Sequence, residues 1–146
     1  MTVKDYHSKL YCTVQAIIEF EKATGFVYDN TASELEIDKS NPSEVFELIE
    51  ANKLLRQLEN CAIKASYLLS EVQHEGKIAK TSYDQYELDG VTLECGTALE
   101  VLLWNNQEER YQYTYTTIEH NGEGYYLTCN GSKELEGLKA RLRFSL

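Results

Sequence analysis

The residues whose chemistry reaches furthest in this sequence are four cysteines and three histidines: Cys12, Cys61, Cys95, Cys129, His7, His74 and His120. Thiolate and imidazole together build tetrahedral zinc sites, which draw at least one close ligand pair from a turn or a helix face. The chain has no CxxC or similar pair, and His7 and Cys12 are five positions apart, which points them to different sides of a helix. The thiols read as free, no cofactor is expected, and zinc is the minor alternative. Catalysis has less to stand on. There is no glycine-rich phosphate loop, nucleophile elbow, HExxH or local Cys–His or carboxylate dyad, so a non-enzymatic protein is expected.

What remains is recognition chemistry. Of eleven tyrosines, Tyr111, Tyr113 and Tyr115 alternate along one stretch, which places them on one face of a strand, and Tyr125 and Tyr126 follow on the next. Such a face either contacts a partner or packs as core with its hydroxyls reaching water. The carboxylates are concentrated as well. Asp29, Glu34, Glu36, Asp38, Glu44, Glu47 and Glu50 face only Lys39 between residues 28 and 50, a local net charge of −6. One reading is a solvated helix start near the positive end of its dipole; the other is a negative patch that docks on a basic surface. The candidate partner-binding residues are therefore Asp29, Glu34, Glu36, Asp38, Glu44, Glu47, Tyr111, Tyr113 and Tyr115. A stacking surface for single-stranded bases needs a basic groove beside the rings. Residues 76–146 hold seven basic against eleven acidic side chains, and only Lys139, Arg141 and Arg143 cluster.

The elements that must position these residues follow from periodicity. Val3, Tyr6, Leu10, Val14, Ile17, Ile18 and Phe20 make a helical stripe over residues 2–23, stopped by Thr24 and Gly25. Residues 26–40 read as a loop with a helical turn at 32–37. Asn41, Pro42 and Glu44 form a helix start with a capping box, and a second, longer helix is predicted from Ser43 to about Gln73, ended by Gly76. Beyond it the period turns to alternation. Strands are predicted at 77–80, 82–88, 91–94, 98–104, 110–119, 124–129 and 138–144, separated by Asp89-Gly90, Asn105-Asn106, Asn121-Gly122 and Asn130-Gly131 turns that readily take positive φ. The predicted class is α+β: a helical hairpin (1–75) packed on a small antiparallel β domain (76–146), either a sheet or an SH3-like barrel.

At 146 residues one domain, or two small lobes, is the limit. The balance of 14 basic and 24 acidic residues gives −10, which disfavours direct contact with nucleic acid or anionic membrane and favours basic partners. No apolar run is long enough to span a bilayer and residues 1–5 lack the apolar core of a signal peptide, so a cytoplasmic location is expected.

Tyr86-Glu87-Leu88, Leu93-Glu94-Cys95-Gly96, Leu99-Glu100-Val101-Leu102, Thr117-Ile118-Glu119-His120, Gly124-Tyr125-Tyr126-Leu127 and Leu135–Leu142 together resemble a family of short uncharacterised domains from Firmicutes, commonly carried on phages and other mobile elements. The resemblance spans Tyr86 to Arg143 and departs from the pattern at Trp104–Tyr115, where this chain has a longer hairpin. It implies a small β barrel and a mobile-element origin, and it carries over no catalytic residue. Small size, a concentrated negative face and that origin lead to one functional expectation: a binding protein that inhibits a host defence nuclease, an anti-CRISPR acting on Cas9 being its concrete form. The alternative is an accessory SH3-like module that binds a peptide or single-stranded nucleic acid through Tyr111, Tyr113, Tyr115 and the Lys139, Arg141, Arg143 face.

Overall fold

Thr2 opens the first helix with a reciprocal cap. Its hydroxyl accepts the Asp5 backbone N–H at 3.1 Å, and the Asp5 carboxylate accepts the Thr2 N–H at 2.9 Å. Two of the four orphan donors of a helix start are thereby satisfied. Helix α1 then runs Val3–Thr24 and ends at Gly25, whose φ of +82° lets its N–H bond back to the Lys22 carbonyl. The backbone angle favours glycine, and a Cβ there would also force the Ser33 hydroxyl and the Glu34 side chain to move. The computed structural model describes residues 1–143.

The chain forms two compact units that meet in sequence at residues 70 and 71. The class is α+β, with a helical region first and antiparallel sheets after it. Among the described residues no helix is long and apolar enough to cross a membrane.

In the helical unit α1 is followed by a single turn, α2 (Phe26–Asp29), and by α3 (Pro42–Leu69). The turn predicted at 32–37 is displaced to 26–29. Phe26 is an anchor there, buried to 1% exposure with Ala32 and Leu55, and Ala32 is held by a 2.7 Å bond from its N–H to the Asn52 side chain. At the start of α3 Asn41 caps Ser43 as expected, but Glu44 does not close a box: its carboxylate takes the Asp38 N–H instead. The seam between α1 and α3 is thin. Val14 meets Ala62 and Ala65, flanked by Leu10, Ile17, Ile18 and Leu69. Of the predicted stripe, Val3, Tyr6 and Phe20 remain at least 43% exposed.

Helix α3 ends at Leu69, earlier than the predicted Gln73. Residues Val72–Lys77 form strand β1, so Gly76 lies inside a strand and stops no helix. The strand exists because residues 74–77 pair with the distant segment 139–142, a partner that local periodicity does not reveal. The others are β2 (Ala79–Lys80), β3 (Tyr86–Leu88), β4 (Val91–Thr92), β5 (Ala98–Asn105), β6 (Arg110–His120), β7 (Tyr125–Leu127) and β8 (Lys139–Arg143). The strand predicted at 138–144 is thus β8, and Phe144 lies outside the described residues. All pairings are antiparallel: a five-stranded sheet ordered β1-β8-β5-β6-β7 and a three-stranded sheet ordered β2-β3-β4. Asp89-Gly90 and Gly122 and Gly131 take positive φ as expected, whereas at the β5–β6 hairpin the left-handed residue is Glu109. There Asn105 acts through its side chain, accepting the N–H groups of Gln107 and Glu108.

Residues from both sheets share one core. Ile78, Leu88, Leu93, Leu99, Val101, Ile118, Leu127, Leu135, Ala140 and Leu142 are each at most 1% exposed. The period-2 alternation of β5 and β8 sends Leu99, Val101, Ala140 and Leu142 into this core, and it consigns Glu100, Arg141 and Arg143 to the other face of the sheet.

Candidate functional site

On that other face one row of side chains crosses four strands, because Glu75 stands opposite Arg141, Arg141 opposite Glu100 and Glu100 opposite Tyr115. Glu100 is 5% exposed and holds two arginines. Arg141 donates from Nε and Nη2 at 3.0 and 2.9 Å, and Arg143 from Nε at 3.0 Å and Nη2 at 3.1 Å. A buried carboxylate is tolerable on these terms, since charge-assisted bonds from two guanidinium groups replace its water. Arg141 also lies over the Tyr113 ring, 3.8 Å from its centroid, and the Tyr113 hydroxyl donates to Glu75 at 3.1 Å. Lys139 stands 3.7 Å from the same Glu75 carboxylate.

The sequence-predicted tyrosine trio and basic trio therefore share a face, and they meet where Arg141 lies over Tyr113. Tyr113 is locked between Arg141 and Glu75, and Tyr115 is half-buried. Only Tyr111 stands out, 66% exposed and edge-on to the exposed Trp104 at 5.2 Å. Tyr125 belongs to the opposite side, with its ring edge-on to Tyr86 and His120. The arginines are spent on Glu100, which leaves this face with little basic character to offer a phosphate backbone.

The acidic candidates all fall in the helical unit, on α2, the loop after it and the first turns of α3. Two of them shape the loop: Asp29 accepts from the N–H and hydroxyl of Thr31, and Asp38 does the same for Ser40. These bonds, the side-chain ones foremost, hold both carboxyls below the ordinary aspartate range and keep them charged. Glu44 holds the Asp38 N–H. Glu34, Glu36 and Glu47 are exposed, and their carboxylates make no hydrogen bond among the described residues, so they are the members free to meet a partner. Beside Glu47 lies a feature the sequence did not expose, a groove of about 750 Å³ floored by Phe20, Leu35, Ala51 and Leu54 and rimmed by Glu47, Glu50, Lys53 and Gln57. Phe20, Leu35 and Leu54 are 38–49% exposed there, an apolar strip edged by carboxylates. Periodicity placed Phe20 in the stripe, but only the path of the 30–40 loop shows that Leu35 joins it.

All four thiols are free and exposed. Cys95 donates to Glu119 at 2.9 Å, and that bond pushes its pKa up, away from thiolate chemistry. Among the described residues no group of three or more His, Cys, Asp or Glu side chains converges where a metal ion could sit.

Fold and surface thus define a two-unit α+β chain with a sheet unit whose polar face is internally saturated and a helical unit that presents acid beside apolar surface. Residues 74–142, nearly all of the sheet unit, match the model of a family described as "Domain of unknown function (DUF5348)". The match covers the same stretch as the resemblance seen in the sequence and extends it to β1. No curated protein and no solved structure matches the chain.

Proposed function

We propose that this protein is a non-catalytic binder whose helical unit docks on a basic surface of a partner protein. The observation that carries the reading is the conjunction of free carboxylates on Glu34, Glu36 and Glu47 with the apolar groove that Glu47 borders. Carboxylates steer a basic partner and fix its register, and burial of the apolar strip supplies the affinity. In its narrower form the partner is a host defence nuclease such as Cas9, whose nucleic-acid channel is basic, and the protein inhibits it by occupying that surface, as a phage or mobile-element product would.

The test is binding and DNA cleavage with purified Cas9–guide RNA, comparing the wild type with Glu34→Lys/Glu36→Lys/Glu47→Lys. The account expects inhibition by the wild type that weakens with salt and at least a tenfold loss in the variant. Equal inhibition by both proteins refutes the acidic docking surface, and no binding by either refutes this partner.

A module reading for the sheet unit is favoured by one observation, the exposed Trp104–Tyr111 pair. Titration with single-stranded DNA at low salt separates the two, since the acidic binder should show no association.

A further inference from the structure

Glu21 is the one side chain of the α1–α3 seam that the packing does not explain. It continues the stripe of Val14 and Ile18, where an apolar residue would serve, and it is only 6% exposed. Its Oε1 is buried with no hydrogen-bond partner. A second carboxylate, on the half-buried Glu59 of α3, lines the same cleft of about 220 Å³, whose other walls are Val14, Ile18, Ala62 and Ile63 with Ser66 as the one further polar side chain. Arg56, one turn back on α3, lines an adjoining cleft with Glu59, and Lys22, next to Glu21 in the chain, pairs with Glu19. Neither carboxylate has an ion pair among the described residues. Burial and the neighbouring Glu59 push the Glu21 carboxyl upward from its ordinary range, as expected for a site short of one positive charge.

We propose that this cleft is a socket for a lysine side chain, the ammonium taken by Glu21 and Glu59 and the four-carbon stem by Val14, Ile18, Ala62 and Ile63. Two carboxylates with no cation between them ask for one positive group, and apolar walls leading to them suit an alkyl stem with a compact charged head. The flat guanidinium of arginine would leave donors unmatched in a cleft this small. The assignment of the lysine to a partner protein rests on the docking reading above, whereas the socket itself can be tested without a partner.

The probe is n-butylammonium, the side chain of lysine cut from its backbone. The full chain, carrying 13C at the glutamate carboxyls, is titrated with pH in n-butylammonium chloride and in sodium chloride at equal concentration. Glu21 is identified by the resonance missing from Glu21→Gln. The socket predicts that the Glu21 midpoint falls in the alkylammonium salt and that the melting temperature rises by about 2 °C, with no such rise in Glu21→Gln. Identical midpoints in the two salts, or an equal rise in the variant, overturn it. Should Glu21→Gln fold poorly, the half-buried Glu59→Gln carries the same comparison. Loss of nuclease binding with the butylammonium response intact would refute the partner and leave the socket standing; the reverse result would do the opposite.

Discussion

Each unit buries one glutamate, and the two are treated in opposite ways. In the sheet unit Glu100 is clasped by Arg141 and Arg143 through charge-assisted bonds, while in the helical unit Glu21 is buried beside Glu59 with no ion pair among the described residues. The surroundings differ in the same sense. Ten core residues of the sheet unit are essentially inaccessible, whereas the helical seam closes over Val14, Ala62 and Ala65 and leaves Phe46, Ile49, Leu54 and Ile63 about half exposed. The sheet unit pairs its buried charges and closes a tight core, leaving Trp104 and Tyr111 exposed at one hairpin, and the helical unit leaves a buried carboxylate unpaired beside exposed apolar surface; the proposed docking role rests on that contrast.

The largest effect expected from this contrast is at Glu100. Replacement by Ala removes the buried carboxylate that Arg141 and Arg143 share and should destabilise the sheet unit by about 3 kcal/mol, seen in chemical denaturation of the full chain. A milder loss would mean that water reaches the arginines. Next is Gly25→Ala, which combines a positive φ with the contact to Ser33 Oγ and should cost the helical unit about 2 kcal/mol. At Glu21 the sign reverses. Glu21→Leu should stabilise the helical unit by about 1 kcal/mol, because a desolvated carboxyl gives way to an apolar side chain of similar size.

The pH dependence of Glu21 has a definite sign. Its folded pKa is raised, so on titration upward the unfolded chain loses its proton first, and stability falls between the ordinary glutamate value near 4.5 and the higher folded one. Wild type should lose melting temperature over that window relative to Glu21→Gln; parallel profiles would show that Glu21 titrates as an ordinary surface glutamate. The smallest effect concerns Cys95. Glu119→Gln should speed its alkylation near neutral pH by removing the bond that raises the thiol pKa, and peptide mapping after limited iodoacetamide labelling reads this directly.

The β5–β6 hairpin was legible in the sequence nearly to the residue, since its alternation is strong and Asn105 marks the turn. The acidic loop was legible as charge. What pattern cannot reach is pairing between distant segments: β1 looked like the end of a helix because its partner β8 comes some 65 residues later. The same blindness hid the fate of Arg141 and Arg143, which read as a basic face until Glu100 was placed opposite them. Glu21 is hidden in the sequence because a stripe is defined by its apolar members, and Glu21 occupies an apolar position without being one. The groove at Phe20 and Leu35 depends on the course of an irregular loop, for which sequence holds only a list of exposed and buried preferences.

The claim that the helical unit recognises and the sheet unit supports is tested most directly by binding two variants to the same Cas9–guide RNA complex in calorimetry at low salt. One carries Glu34→Lys/Glu36→Lys/Glu47→Lys and the other Trp104→Ala/Tyr111→Ala. The account predicts that the first loses binding by at least tenfold and that the second keeps wild-type affinity. Loss of affinity in the second with the first unaffected would contradict it and move recognition to the sheet.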